Sequence, residues 1–394
     1  MLAMRLAPLA LAGALLLAGC TNAPTMRPGS ASPSPSAPLA PPVSLALTPA
    51  KEAKDLPTTT EIGTAVSNGK VASVELADAA GAKVPGKLRE DLSSWVPDQP
   101  LKFATAYTAT VTATGADGRS VTESTAFTTM AKPGKRNGIG LYLFADKTYG
   151  VAMPVVVEFS NEVPESARAS VQSRLFVTTT PHQPGVWHWS SSKQVVYRAK
   201  EYWQPGTKIE ARIALEGHPM GNDRYGDADR RGVGNISADK IEMIVENSTK
   251  QMTVLKNGET LRTIPVSLGK PKTPSSGGTL VIMDKLRKTI FDTTNEPGDV
   301  DRYRVEIEYA QRLTWSGEFL HAAPWSVKDQ GTRNVSHGCV NMSMANAEWL
   351  FGITRVGDPV TINGTERKVA SGNGFTAWSL PWDEYIKGSA LPVN

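Results

Sequence analysis

Cysteine is scarce in this chain of 394 residues: there are two, Cys20 and Cys339. A disulfide-stapled scaffold needs more, and these two sit in unlike surroundings. A dominant charge is lacking as well. Forty-two Lys and Arg against 38 Asp and Glu leave a net charge of +4, with no long block of one sign. That balance argues against a nucleic-acid binder, which concentrates basic residues on one face. The apolar run near the start, residues 6–18, falls short of the ~20 residues that cross a bilayer and is rich in Ala and Gly. The chain is also too long for one ordinary domain.

Residues 1–20 read as an export signal, with Arg5 ahead of the apolar run. The last four, Leu17-Ala18-Gly19-Cys20, resemble a bacterial lipobox. That resemblance implies cleavage before Cys20 and acylation of its sulfur, so the chain is expected to be exported and held by lipid on the outer face of the cell membrane. Two acyl chains anchor firmly where one does not. Residues 21–42 are dominated by Pro and Ser and cannot bury a core. They read as a tether reaching toward the cell wall.

The remainder is expected to be mainly β. Residues 43–130 hold Val- and Thr-rich runs, such as 71–76 and 107–113, punctuated by turn signals at Asn68-Gly69 and Asp117-Gly118. Several short strands in so few residues suggest an immunoglobulin-like sandwich. Residues 131–237 read as a second such block, with strands at 154–159, 175–178 and 208–213. A third block, residues 238–363, has strand-like runs on both sides of Asn257-Gly258, a hairpin signal. It also has one helix-like stretch, 343–351, with Ser343 placed to cap it. Residues 364–394 form an aromatic-rich C-terminal extension, expected to pack on the third block. The stretch from Asp227 to Gly232 has a glycine at the sixth place of an EF-hand loop. Arg231 at the fifth and Ala238 at the twelfth break that pattern.

Chemistry concentrates in residues 321–341, which hold two of the five histidines and the one cysteine expected to remain a thiol. A thiol with a pKa of about 8.5 is a poor nucleophile until a base takes its proton. His321 and His337 are both candidates. His337 lies two residues from Cys339, on the same side if the segment is a strand. Gly338 removes a side chain where a carbonyl would approach, and the amides of Gly338 and Cys339 could hold an oxyanion. Taken one at a time, a buried Cys is more often an inert small hydrophobe and a His beside Gly a turn. His321, His337 and Cys339 would make three metal ligands, but no fourth is apparent and the spacing matches no zinc pattern.

The combination resembles the signature of the L,D-transpeptidase (YkuD-like) family: a His, 14 to 17 residues, Ser or Thr, then His-Gly-Cys, an apolar residue and Asn. Here these are His321, fourteen residues, Ser336, His337, Gly338, Cys339, Val340 and Asn341. The resemblance extends over residues 238–363. The two β modules, tether and lipobox are similar to those of actinobacterial members. It implies a nucleophile at Cys339, a base at His321 and a backbone carbonyl at Ala322 as the third member. Amides of His337, Gly338 and Cys339 would form the oxyanion hole. Ser336 and Asn341 would shape the loop on the substrate side. Tyr303 in a flap and Trp325 would contact substrate, although each could instead be a packing aromatic.

The implied reaction is acyl transfer between peptidoglycan stem peptides, giving a 3→3 cross-link and releasing D-alanine, with no cofactor. Covalent trapping by carbapenem β-lactams is implied as well. An L,D-carboxypeptidase carries the same motif, and a wall-binding scaffold lipoprotein is the alternative outside enzymes.

Overall fold

The computed structural model describes residues 41–294 and 302–393. The export signal, Cys20, all but the end of the tether and the tip of the flap lie outside the described residues. No helix among the described residues is long and apolar enough to cross a membrane.

The first β block is a sandwich whose two sheets share one core. Four strands, Ser44–Thr48, Ile62–Ser67, Ser94–Pro97 and Gly86–Leu88, form one sheet, and five form the other. The strand Ala106–Gly115 shows why the sequence folds this way. Tyr107, Ala109, Val111 and Ala113 are buried on one side. Between them Thr110, Thr112 and Thr114 meet Ser124, Thr122 and Ser120 on the neighbouring strand at 2.9–3.0 Å. Period-two alternation buries the apolar half and lets the hydroxyl half pair across the strands.

The second block is again two four-stranded sheets, around a core rich in Val and Trp. It also has a helix, Glu165–Gln172, that the polar run did not announce. The two blocks meet over buried polar groups. Glu61 receives Arg89, Arg174 and Ser94, and the His218 ring lies between Thr59 and Ser170. Asp227 and Asp229, the acids of the failed EF-hand pattern, pair with Arg230 and Arg212.

In the third block a six-stranded sheet runs Glu259–Pro265, Gln251–Lys256, Ile241–Glu246, Pro359–Asn363, Ser276–Val281, Arg367–Lys368. Asn257 and Gly258, with φ of 52° and 88°, make the two-residue hairpin that an Asn-Gly pair favours. The second sheet joins Asp284–Asp292, Arg304–Arg312, Phe319–Ala322 and Val340–Met342. The helix Met344–Ile353 follows, and its first turn is capped by the Ser343 hydroxyl, which accepts from the Asn346 amide at 3.3 Å.

The C-terminal extension packs on both the third and the second block. On the third, Arg367–Lys368 joins the six-stranded sheet, Asn373 donates to the Ser316 hydroxyl at 2.9 Å, and Ser379 donates to the Thr279 carbonyl at 2.7 Å. On the second, it closes over Arg198. Its guanidinium lies 4.1, 4.5 and 5.2 Å from the ring centroids of Tyr385, Trp378 and Trp382. It donates to the carbonyls of Ala377 (3.1 Å) and Leu380 (2.8 Å). His188 meets the Tyr385 carbonyl at 2.7 Å, and the Tyr385 hydroxyl donates to Val196 at 2.6 Å. All six residues of the Gln194–Ala199 strand are therefore buried, one face by its own sandwich and the other by the tail. Burial holds the Arg198 pKa below its ordinary value, yet aromatic faces and carbonyls satisfy the cation. Replacing Arg198 by Met should leave those carbonyls without their donor and cost about 2–4 kcal/mol. The measurement is limited proteolysis with denaturant unfolding. A tail as protected as in the parent protein would show that Arg198 does not hold it.

Candidate active site

The site forms where two short strands pair in parallel. Leu320, His321 and Ala322 stand in register with Val340, Asn341 and Met342. Cys339 lies two residues before Asn341 and so faces the same side as His321. A parallel pair needs a crossover of a dozen or more residues, and the stretch between His321 and Ser336 supplies it. The signature spacing is thus the length of a connection.

His321 is only 3% exposed. Its Nδ1 lies 2.8 Å from the Ala322 carbonyl. A carbonyl only accepts, so Nδ1 carries the proton and Nε2 is left basic. Asn341 also hydrogen-bonds the ring. The ring is flanked by Phe291 at 5.9 Å and Trp325 at 6.0 Å. Burial pushes the imidazole down to about 4.

Cys339 is half-buried and packs against the small apolar cluster of Ile307, Ala310 and Phe319. Its Sγ lies 3.8 Å from the Gly317 carbonyl. Burial pushes the thiol up to about 12 despite a backbone hydrogen bond from Phe319, and the charge of Glu318 adds to the shift.

The intervening loop is braced from within. The Ser336 hydroxyl donates to the Cys339 carbonyl at 2.7 Å and accepts from the Gly338 amide at 3.1 Å. The Gly338 amide is therefore engaged by that hydroxyl. Gly338 adopts φ of +126°, which strains any side chain. Its carbonyl accepts from Ser275 at 2.7 Å. Ser336 and Asn341 are buried, and Asn341 donates to the Ser326 hydroxyl at 3.2 Å. His337 is exposed, stacked on Tyr303 at 5.0 Å, with its Nε2 3.0 Å from Lys270 Nζ.

Of the residues singled out in the sequence, His321, Cys339, Ser336, His337, Asn341, Tyr303 and Trp325 border one cavity of about 640 Å³, while Gly338 and Ala322 do not line it. Phe291, Val305 and Ile307 form its apolar wall, and Arg302 and Asp329 bring charge. Trp325 is 54% exposed at the rim, so it is not a core residue. Among the described residues no cluster of His, Cys, Asp and Glu has the geometry to hold a metal ion. Lys270, Ser275, Glu318 and Arg367 were not legible as parts of this region. Lys270, Ser275 and Arg367 come from distant stretches, Glu318 directly precedes the His321 strand, and none carries a local motif.

Comparison with known proteins agrees with this picture. The family profile of the L,D-transpeptidase catalytic domain matches residues 241–362, and that of a bacterial Ig domain matches residues 53–219, across both sandwiches. L,D-transpeptidase 5 of Mycobacterium tuberculosis is 31% identical over 356 residues, 88% of this chain and 77% of that protein. L,D-transpeptidase 2 of the same species is 28% identical over 84% of this chain and 80% of its own length. L,D-transpeptidase 1 is 38% identical over 55% of this chain and 80% of its own. A solved L,D-transpeptidase in complex with imipenem is 33% identical over 57% of this chain and 98% of that one, with a TM-score of 0.47. The chain belongs to the L,D-transpeptidase family, a family of acyltransferases.

The electrostatics yield a prediction. His321 is protonated only near or below about pH 4, and the thiol ionises only far above neutrality. The resting pair at neutral pH is then thiol and neutral imidazole, not thiolate and imidazolium. Difference absorbance at about 240 nm between the protein and its Cys339→Ala variant should show no thiolate at about pH 7 and a band that grows only in alkali. A thiolate band at neutral pH would overturn this assignment.

Proposed function

We propose that this protein joins peptidoglycan stem peptides by 3→3 cross-links. The observation that carries the reading is the placement of His321 and Cys339 on one face of a parallel strand pair, both bordering the same cavity. Cys339 is the nucleophile and His321 Nε2 the base, its tautomer set by the Ala322 carbonyl. As the thiol proton passes to Nε2, sulfur attacks the carbonyl carbon of the third residue of a tetrapeptide stem. The amide bond to the terminal D-alanine breaks, and that nitrogen takes the proton from His321. The side-chain amine of a diamino acid on a second stem then attacks the thioester and passes its proton back through His321 to sulfur.

The Cys339 and His337 amides receive the transient oxyanion. Tyr303 and Trp325 contact the stem, while Ser336 and Asn341 keep the loop and the base in place. An activated β-lactam carbonyl, as in carbapenems, is open to the same attack and has no acceptor amine to resolve it. The lipobox at Cys20 supports anchoring on the outer face of the cell membrane, with residues 21–42 as tether and the two sandwiches as spacers.

The soluble chain incubated with disaccharide-tetrapeptides should yield a dimer lighter than two substrates by one alanine. Cys339→Ala should reduce that product at least about a thousandfold. His321→Ala should cost about a hundredfold or more, and His337→Gln within about tenfold. Equal and small losses at the two histidines would refute these roles. Tripeptide without dimer would instead favour L,D-carboxypeptidase activity. Meropenem should add its mass to the protein and not to Cys339→Ala.

A further inference from the structure

Behind the Gly338–Cys339 peptide lies an ion pair, its carboxylate buried and its guanidinium half exposed, that the proposed chemistry leaves unused. Glu318 sits in the turn leading into the Phe319–Ala322 strand and is 5% exposed. Its carboxylate accepts from the Ser276 amide at 3.3 Å and from the Ser276 hydroxyl at 3.0 Å. It also pairs with Arg367, on the two-residue edge strand that runs parallel to Ser276 and Gly277. The pair therefore ties the rim of the larger sheet to the turn that delivers His321. A buried carboxylate persists only with such partners.

The same carboxylate stands directly against the reactive loop. A methyl group added to the Gly338 Cα would lie 3.3 Å from Glu318 Oε1, 3.4 Å from its Cγ and 3.7 Å from Arg367 Nη2. From its other end, the 338–339 peptide is held by Ser275, whose hydroxyl donates to the Gly338 carbonyl at 2.7 Å. The thiol that follows lies 3.8 Å from Gly317, the residue before Glu318. Several ionisable groups face the thiol or its cavity: His321 from its strand, His337 from the loop, Arg302 and Tyr303 from the flap, and Asp329 beyond the turn at Trp325. Lys270 abuts His337. Beside these groups, it is the Glu318 charge that acts on the thiol, against ionisation.

Resting on the reading of Cys339 as nucleophile, we propose that Glu318 and Arg367 are positioning residues for acyl transfer, which seat the Gly338–Cys339 peptide and, through their opposed charges, set how readily Cys339 releases its proton. With Arg367 in place the pair presents little net charge to the thiol. Without the guanidinium a bare carboxylate stands against the Gly338 Cα, one residue from the thiol. Without the carboxylate a guanidinium remains.

The test is the rate at which iodoacetamide alkylates Cys339 in the full chain, followed on the Cys339 peptide by mass spectrometry at several pH values below the thiol's midpoint. There the rate follows the thiolate fraction. Glu318→Gln, which keeps shape and hydrogen bonds, should alkylate about tenfold faster at fixed pH. Arg367→Met should alkylate about tenfold slower, each corresponding to about one pKa unit. The double variant should return toward the parent rate. Opposite shifts with a compensating double variant support the proposal. Shifts of the same sign, or none, overturn it, because a purely structural role would disturb both single variants alike. The readout does not depend on turnover. If Cys339→Ala still cross-linked stems, the nucleophile reading would fail by itself, whatever the alkylation rates.

Discussion

The site depends on one piece of hydrogen bonding, the three-residue parallel ladder between Phe319–Ala322 and Val340–Met342. Neither strand would be stable alone, since short strands need neighbours on both sides. The first is held by the flap strand Arg304–Arg312, at Gln311–Leu320 and Arg312–Phe319. The second is held by a bridge from Ser267, two residues past the Glu259–Pro265 strand, to Asn341. Loss of register by one residue would turn His321 away from the cavity and bring Leu320 into it. The apolar neighbours Leu320 and Val340, fully buried in the core between the sheets, oppose that slip.

On this ladder the reactive loop is fixed by polar contacts of short reach. Ser336 closes a ring onto Gly338 and Cys339, while the Ser336 amide and carbonyl are taken by Leu268 and Lys270. Ser275 holds the Gly338 carbonyl. Orienting a backbone amide in advance matters because an oxyanion donor acts only if it need not reorganise during reaction. Gly338 fits this demand. Its φ is open to glycine, and the space beside its Cα is filled by Glu318.

Much of this was legible in the sequence. Alternation exposed strands such as Ala106–Gly115, Asn257-Gly258 marked a hairpin, Ser343 marked a helix start, and the spacing from His321 to Cys339 marked the site. What escaped has a common cause. The Gln194–Ala199 strand is buried on both faces, so alternation is absent and its second cover comes from residues far along the chain. The helix Glu165–Gln172 is mostly polar and offers only Val171 and Gln172 to the interior. Glu318 meets partners 42 and 49 residues away, and no local pattern announces such a meeting. The C-terminal aromatics were readable as anchors, but their socket on Arg198 was not, since an isolated Arg in a strand usually signals a solvated face.

The neutral thiol and imidazole expected at rest bear on how the proposed reaction would favour an amine over water. A preformed thiolate would be solvated and reactive before any substrate arrived. Here the apolar wall of Phe291, Val305 and Ile307 disfavours charge on sulfur until a carbonyl is bound to receive it. In the proposed reaction, proton transfer to His321 and bond formation then become interdependent, and the cost of separating charge is met only in the transition state, where amide donors would face the oxyanion. The same logic applies to deacylation. A neutral His321 above about pH 4 accepts a proton from whichever nucleophile is held beside the thioester. In the proposed reaction selectivity would then lie in what the cavity holds there, since the apolar wall would hold a water less firmly than the methylene chain of an incoming amine.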